Sequence, residues 1–223
     1  MHIGLIGGIG PAATDFYYRR LIATFARKNA ELELTIAHAD TPTLLTNLAK
    51  NDAAAQTVIY NRLTNRLVSA GAESVAVTSI AGHFCIYDFK AVSQLPIVDL
   101  IVEVSRAIEE RGLKRIGILG TRTVMETRFY GRIASAEVIA PSEPYLSDVH
   151  QAYISMAASG LITEKQRSIF YEASQQLLEN FSAEAIMLGG TDLALAFTED
   201  TTEFPLIDCA GIHADAIARL ATT

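Results

Sequence analysis

The chain has 223 residues, 50% of them hydrophobic and 19% charged, and a formal net charge of -7. Such a chain buries a sizeable core as one large domain or two small ones, and its acidity opposes a nucleic-acid partner, whose phosphates need a basic surface. No apolar run approaches the roughly 20 residues that span a bilayer, and the N-terminus enters a strand without a basic leader, so the expectation is a cytoplasmic protein with no membrane partner.

In chain order, His2-Ile-Gly-Leu-Ile6 reads as a short buried strand and Gly7 to Gly10 as a tight turn. Pro11 opens a helix running to about Lys28, with Phe16, Leu21 and Phe25 facing the core. Residues 32–39 alternate and then turn apolar like a second strand, and Asp40-Thr-Pro-Thr43 starts the next connection. Asn51 or Asp52 caps a long amphipathic helix with Val58, Ile59, Leu63 and Leu67 on one stripe and Gly71 at its end.

Val75-Ala-Val-Thr-Ser-Ile-Ala-Gly-His83 has the form of a buried parallel strand that stops at small and polar residues and opens a helix. Leu95-Pro-Ile-Val98 predicts another strand, followed by a helix with Ile101, Val104 and Ile108 inside and Gly112 at its end. Ile116 to Leu119 predicts a strand, and Ile186-Met-Leu-Gly-Gly-Thr-Asp192 repeats the form of the Val75 stretch. The two cysteines, Cys85 and Cys209, are expected as free, buried thiols.

The second half restarts the first. Ile3-Gly-Leu-Ile-Gly7 resembles Ile116-Gly-Ile-Leu-Gly120, Ala72-Glu-Ser-Val-Ala-Val77 resembles Ala183-Glu-Ala-Ile-Met-Leu188, and Leu95-Pro-Ile-Val-Asp99 resembles Phe204-Pro-Leu-Ile-Asp208. This repeat predicts an α/β protein of two similar three-layer halves with parallel sheets, related by a pseudo-two-fold axis. The first domain is residues 1–100 plus 205–223, the second 101–204, and the active site is expected between them, at the strand ends.

Gly8-Ile-Gly10-Pro-Ala-Ala13 fits a dinucleotide-binding turn, with Asp40 the nearest acid for a ribose, so an NAD-binding oxidoreductase is one alternative. A glycine turn that brings backbone amides to a pocket wall is the simpler reading. Thr121 and Thr123 could offer hydroxyls to an anion or merely cap a helix. His83 and Asp192 are candidate acid–base groups, against packing and helix-dipole roles for each.

Taken together, Ile3-Gly-Leu-Ile-Gly-Gly-Ile-Gly-Pro11, Tyr17-Tyr-Arg-Arg20, Gly117-Ile-Leu-Gly-Thr-Arg122, Phe129-Tyr130 and Leu188-Gly-Gly-Thr-Asp-Leu193 resemble the aspartate/glutamate racemase superfamily over nearly the whole chain. In that family the first strand end reads Cys-Asn-Thr-Ala-His and the second Gly-Cys-Thr-Glu, with the two cysteines facing each other across the substrate. Here the first reads Ser79-Ile-Ala-Gly-His83 and the second Gly189-Gly-Thr-Asp192, so Ser79 and Gly190 replace both thiols.

A serine hydroxyl is a poor base unless activated and glycine has no side chain, so the two-thiol proton exchange cannot run on these residues. The loop after the second strand, where acidic-substrate members often carry an arginine, offers only Lys50 before Arg62. The resemblance implies a small carboxylated or amino-acid ligand, a homodimer, no metal and no cofactor, with racemisation, isomerisation or decarboxylation as reaction classes. Ser79, Asp192 and His83 are then the candidate catalytic residues, and Gly8, Ile80, Ala81, Gly82, Thr121, Thr123, Gly190 and Thr191 the candidate ligand-binding ones. A non-catalytic binding or regulatory protein is the second alternative.

Overall fold

The computed structural model describes residues 1–8, 10–197 and 202–222. Ile9, inside the glycine motif, lies outside the described residues. The chain divides into two compact units, Met1–Leu100 with His213–Thr223 and Ile101–Ile212.

The first unit holds β1 (Ile3–Gly7), α1 (Pro11–Arg27), β2 (Leu34–His38), α2 (Thr41–Ala49), α3 (Ala53–Ser69), β3 (Ser74–Val77), a 3-10 turn (Ala81–Cys85) and α4 (Ile86–Val92). Its sheet has the order β2-β1-β3 and is parallel throughout. Leu95–Val98 does not form the expected strand. Ile97 makes only an isolated parallel bridge to Val75.

After α5 (Leu100–Arg111), the second unit carries β4 (Arg115–Gly120), α6 (Arg122–Glu126), a 3-10 turn (Phe129–Gly131), β5 (Glu137–Ile139), α7 (Tyr145–Ser159), α8 (Glu164–Phe181), β6 (Ala185–Gly189), a 3-10 turn (Thr191–Leu195) and β7 (Leu206–Ile207), ahead of α9 (Cys209–Ala221). Its parallel sheet has the order β5-β4-β6-β7. The repeat read from the sequence reaches single hydrogen bonds: Val75 N donates to Pro96 O at 3.0 Å, and Ile186 N to Pro205 O at 2.9 Å. That pairing to β6 places residues 205–212, expected with the first half, in the second unit.

The helix faces differ from the sequence expectation in two places. Tyr17, with Ala13, Leu21 and Phe25, is the buried row of α1, while Phe16 is half-buried under the Arg20 guanidinium. Tyrosine tolerates that burial because its hydroxyl donates to His213 Nδ1 at 2.8 Å. On α3 the buried row is Gln56, Tyr60, Leu63 and Leu67, whereas Val58, about 200° around the helix from Tyr60, is 70% exposed.

β1 and β6 are buried along their length, and burying a Leu, Ile or Val there contributes about 1.5–3 kcal/mol. Among the described residues no helix is long and apolar enough to cross a membrane.

Candidate functional site

In the first unit the end of β3 runs through Thr78 and Ser79 into the 3-10 turn, and Ser79, Ile80, Ala81, Gly82 and His83 are all buried. Ser79 Oγ accepts from Gly82 N at 3.2 Å, so the hydroxyl closes the turn that follows it. His83 Nδ1 donates to the carbonyl of Ser79 at 2.6 Å, not to its hydroxyl. With Nδ1 carrying the proton, neutral His83 presents Nε2 as an acceptor, and that atom is buried without a partner among the described residues. Burial pushes the His83 pKa down, against the pull of Asp99.

Beneath it lies a second histidine. His213 Nε2 donates to Val98 O at 2.8 Å, leaving Nδ1 to accept from Tyr17. Burial first, then His83, lowers the His213 pKa to about 3, so the ring is neutral. The rings of His83 and His213 stand edge to face, 6.3 Å apart. Asp99, buried nearby in sequence, is paired with Lys90 at 2.5 Å.

Gly8 sits at φ +90, where a Cβ would strike the His38 ring and the Ala39 carbonyl. Its amide donates to Thr14 Oγ1 at 2.7 Å, and its carbonyl accepts from Thr41. The glycine turn is thus tied to its own surroundings. Asp40, the acid considered for a ribose, instead caps α2 through Thr43 N at 2.9 Å.

In the second unit Thr121 caps α6, accepting from Val124 N at 3.3 Å, and Thr123 follows half-buried in the same turn. The end of β6 passes through Gly190 into Thr191 and Asp192, both buried in the first turn of the 3-10 segment. Asp192 Oδ2 accepts from the phenol of Tyr153, on α7, at 3.2 Å. Burial and then the Asp192 charge push the Tyr153 pKa well up, so the phenol stays protonated and remains a donor.

Tyr153 also explains the glycine. A Cβ at residue 190 would come 2.5 Å from its Cζ and 2.7 Å from its hydroxyl oxygen. Gly190, which the sequence resemblance sets at a thiol position, adjoins a phenol. Sequence reasoning did not single out Tyr153; a glycine in place of a reactive side chain was the one signal that bulk from another element would fill the gap.

A second tyrosine adds to this end. Arg128, Phe129, Tyr130 and Gly131 all have left-handed φ, between 52 and 64. Such geometry costs a non-glycine residue roughly 1–2 kcal/mol, and full burial of Phe129 holds the turn in place. Tyr130, carried by that turn, adds a small upward push to the Tyr153 pKa. Next to it the Arg122 amide donates to His150 Nδ1 at 3.0 Å, while the Arg122 guanidinium is held by Glu126 and Glu143.

Cys85 closes the 3-10 turn after β3, its thiol donating to the Gly82 carbonyl at 3.7 Å, and Cys209 opens α9. Both are free and buried, and burial raises the pKa of Cys85 to about 12 and that of Cys209 well above its ordinary value. Among the described residues no group of three or more His, Cys, Asp or Glu side chains could hold a metal ion.

The sequence profile of the Asp/Glu/Hydantoin racemase family matches residues 6–217. Among solved structures, a candidate Asp/Glu racemase from Yersinia pestis is similar at 28% identity with a TM-score of 0.85, covering 100% of both chains. An aspartate racemase homologue from Pyrococcus horikoshii OT3 is 26% identical with a TM-score of 0.81, over 100% of this chain and 99% of that one. Glutamate racemase from Francisella tularensis in complex with D-glutamate, at 14% identity, TM-score 0.67 and coverage of 99% and 81%, shares the fold.

Proposed function

Because this chain belongs to the Asp/Glu/Hydantoin racemase family, we propose that it binds a small carboxylated, amino-acid-like ligand at the ends of β4 and β6 and does not run a two-thiol proton exchange. The observation that carries this reading is the pairing of Gly190 with Tyr153: where a thiol would stand, a protonated phenol closes the space and holds Asp192.

At the β3 end, Ser79 is not activated as a base. His83 is turned to its carbonyl, and its hydroxyl accepts from Gly82. The α proton of an amino acid is very weakly acidic, and neither an unactivated hydroxyl nor a phenol beside a carboxylate removes it at neutral pH. Thr121 and Thr191 are the hydroxyls that suit a ligand carboxylate.

One further reading has a specific observation behind it. Asp192 is a buried carboxylate oriented by a permanent donor, which suits a single general base acting on a more acidic carbon than that of an amino acid, as in an isomerase or lyase. Asp192→Asn then abolishes turnover. Pairing of two copies in the cytoplasm belongs to the same proposal and is read from the mass in solution.

The test is proton magnetic resonance of D- and L-aspartate and glutamate in deuterated water. The proposal expects saturation transfer to bound ligand that weakens in Thr121→Val/Thr191→Val, with the α proton retained. An α proton exchanged catalytically by the unaltered protein contradicts it.

A further inference from the structure

The first unit has a recess of about 160 Å³ bounded by the end of β2 and by α3, lined by His38, Asp40, Gln56, Arg62, Leu63 and Arg66 among others. None of the strand-end candidates lines it. Its volume falls below the roughly 300–1,000 Å³ of a drug-sized site, so it fits a small molecule.

Several polar groups around it keep hydrogen-bonding capacity that no described residue fills. Arg19, Arg20, Arg106, Arg115, Arg122 and Arg167 each have an acidic partner. Arg62 and Arg66, exposed and one turn apart on α3, have no side-chain partner among the described residues. Two like charges at that spacing repel by about 0.2–0.5 kcal/mol, in a protein that carries seven excess negative charges.

On the buried side Gln56 is 1% exposed; its Oε1 accepts from Asn47 at 2.9 Å, and nothing among the described residues accepts from its Nε2. Gln56 lines the recess, and an amide donor at a cavity wall can be satisfied by what enters the cavity. Asp40, in the same lining, uses only Oδ2 to cap α2, leaving Oδ1 for a cation. The Thr43 hydrogen bonds hold its pKa below the ordinary value, so it is ionised.

We propose that this recess is a second ligand site, for a free acidic amino acid whose two carboxylates meet Arg62, Arg66 and the Gln56 amide and whose ammonium meets Asp40. The two guanidinium charges and one carboxylate of the wall mirror the two carboxylates and one ammonium of such a molecule, and guanidinium forks suit carboxylates.

The test is thermal unfolding of the full chain with L-aspartate, and with succinate, which lacks the ammonium. A ligand at ten times its Kd raises the melting temperature of a chain this size by about 3–6 °C. Thr191→Val removes a hydroxyl at the β6 end and isolates the recess. The proposal expects a shift with L-aspartate that persists in Thr191→Val and disappears when Arg62→Gln/Arg66→Gln are added. It also expects at least tenfold weaker binding of succinate, and of aspartate to Asp40→Ser, a change that keeps a helix-capping side chain.

No shift with aspartate, a shift that survives loss of both arginines, or one abolished by Thr191→Val overturns the site. Succinate or the Asp40→Ser protein binding as tightly overturns the ammonium assignment. The proposed function is independent of these results, since α-proton chemistry at the strand ends is read by a different signal.

Discussion

The ring of Tyr153 stands where a side chain at Gly190 would begin: a Cβ there would approach Tyr153 Cζ to 2.5 Å. Two residues 37 positions apart in the sequence thus share one volume, and the hydroxyl of the larger one bonds the carboxylate of Asp192.

That relationship gives a direct stability test. Gly190→Ala overpacks the site and costs about 1–3 kcal/mol, whereas in a Tyr153→Ala background the same change costs little or gains. Urea unfolding of the four proteins gives the coupling energy; a Gly190→Ala protein as stable as the parent shows that the ring does not hold this space.

The phenol itself can be titrated. Of the eight tyrosines, Tyr153 is held protonated by burial and then by Asp192. Phenolate absorbance in Asp192→Asn is expected to show one tyrosine ionising at lower pH than in the parent, and Tyr153→Phe to remove that change. Identical titration curves for the parent and Asp192→Asn would mean that the phenol and the carboxylate are not coupled.

How much of this was legible in the sequence follows from the range of each interaction. The strands showed because Ile3-Gly-Leu-Ile6 and Ile186-Met-Leu188 are apolar runs ended by glycine, and the repeat because the same runs recur at nearly constant offset. The buried face of α1 was misread at Phe16, since burial of Tyr17 depends on His213, 196 residues away. Leu95–Val98 looked like a strand by composition but pairs only through Ile97. The glycine at 190 was plain, yet the Tyr153 ring beside it was not, because that contact joins residues 37 positions apart through packing that no local pattern encodes.

Acid should destabilise the first unit through its paired histidines. His213 has a folded pKa of about 3 against an ordinary 6.5, so the unfolded chain binds the proton first. Stability is full above pH 6.5 and falls as pH drops toward 3, by a few kcal/mol; His83, lowered by burial, adds in the same direction. Urea midpoints in the double variant Tyr17→Phe/His213→Phe, which removes both partners of one hydrogen bond, are expected to decline less between pH 6.5 and 4.5. An equal decline removes His213 as the cause.

Neither cysteine should behave as a reactive thiol. With Cys85 pushed to about 12 and Cys209 raised further from neutrality by burial, an aromatic disulfide reagent at pH 8 is expected to label the folded protein only on the timescale of unfolding, and to label two thiols at once in denaturant. Prompt labelling of one thiol in the native protein would reveal a thiolate that the structure does not contain.

The most direct test of the thiol-free strand ends is α-proton exchange of L-aspartate in deuterated water, comparing the parent with Ser79→Cys/Gly190→Cys/Tyr153→Ala, in which both thiols are restored and the ring that excludes one of them is cut back. The account expects no exchange by the parent and measurable exchange by the triple variant. Catalytic exchange by the parent, or none gained in the triple variant, would contradict it.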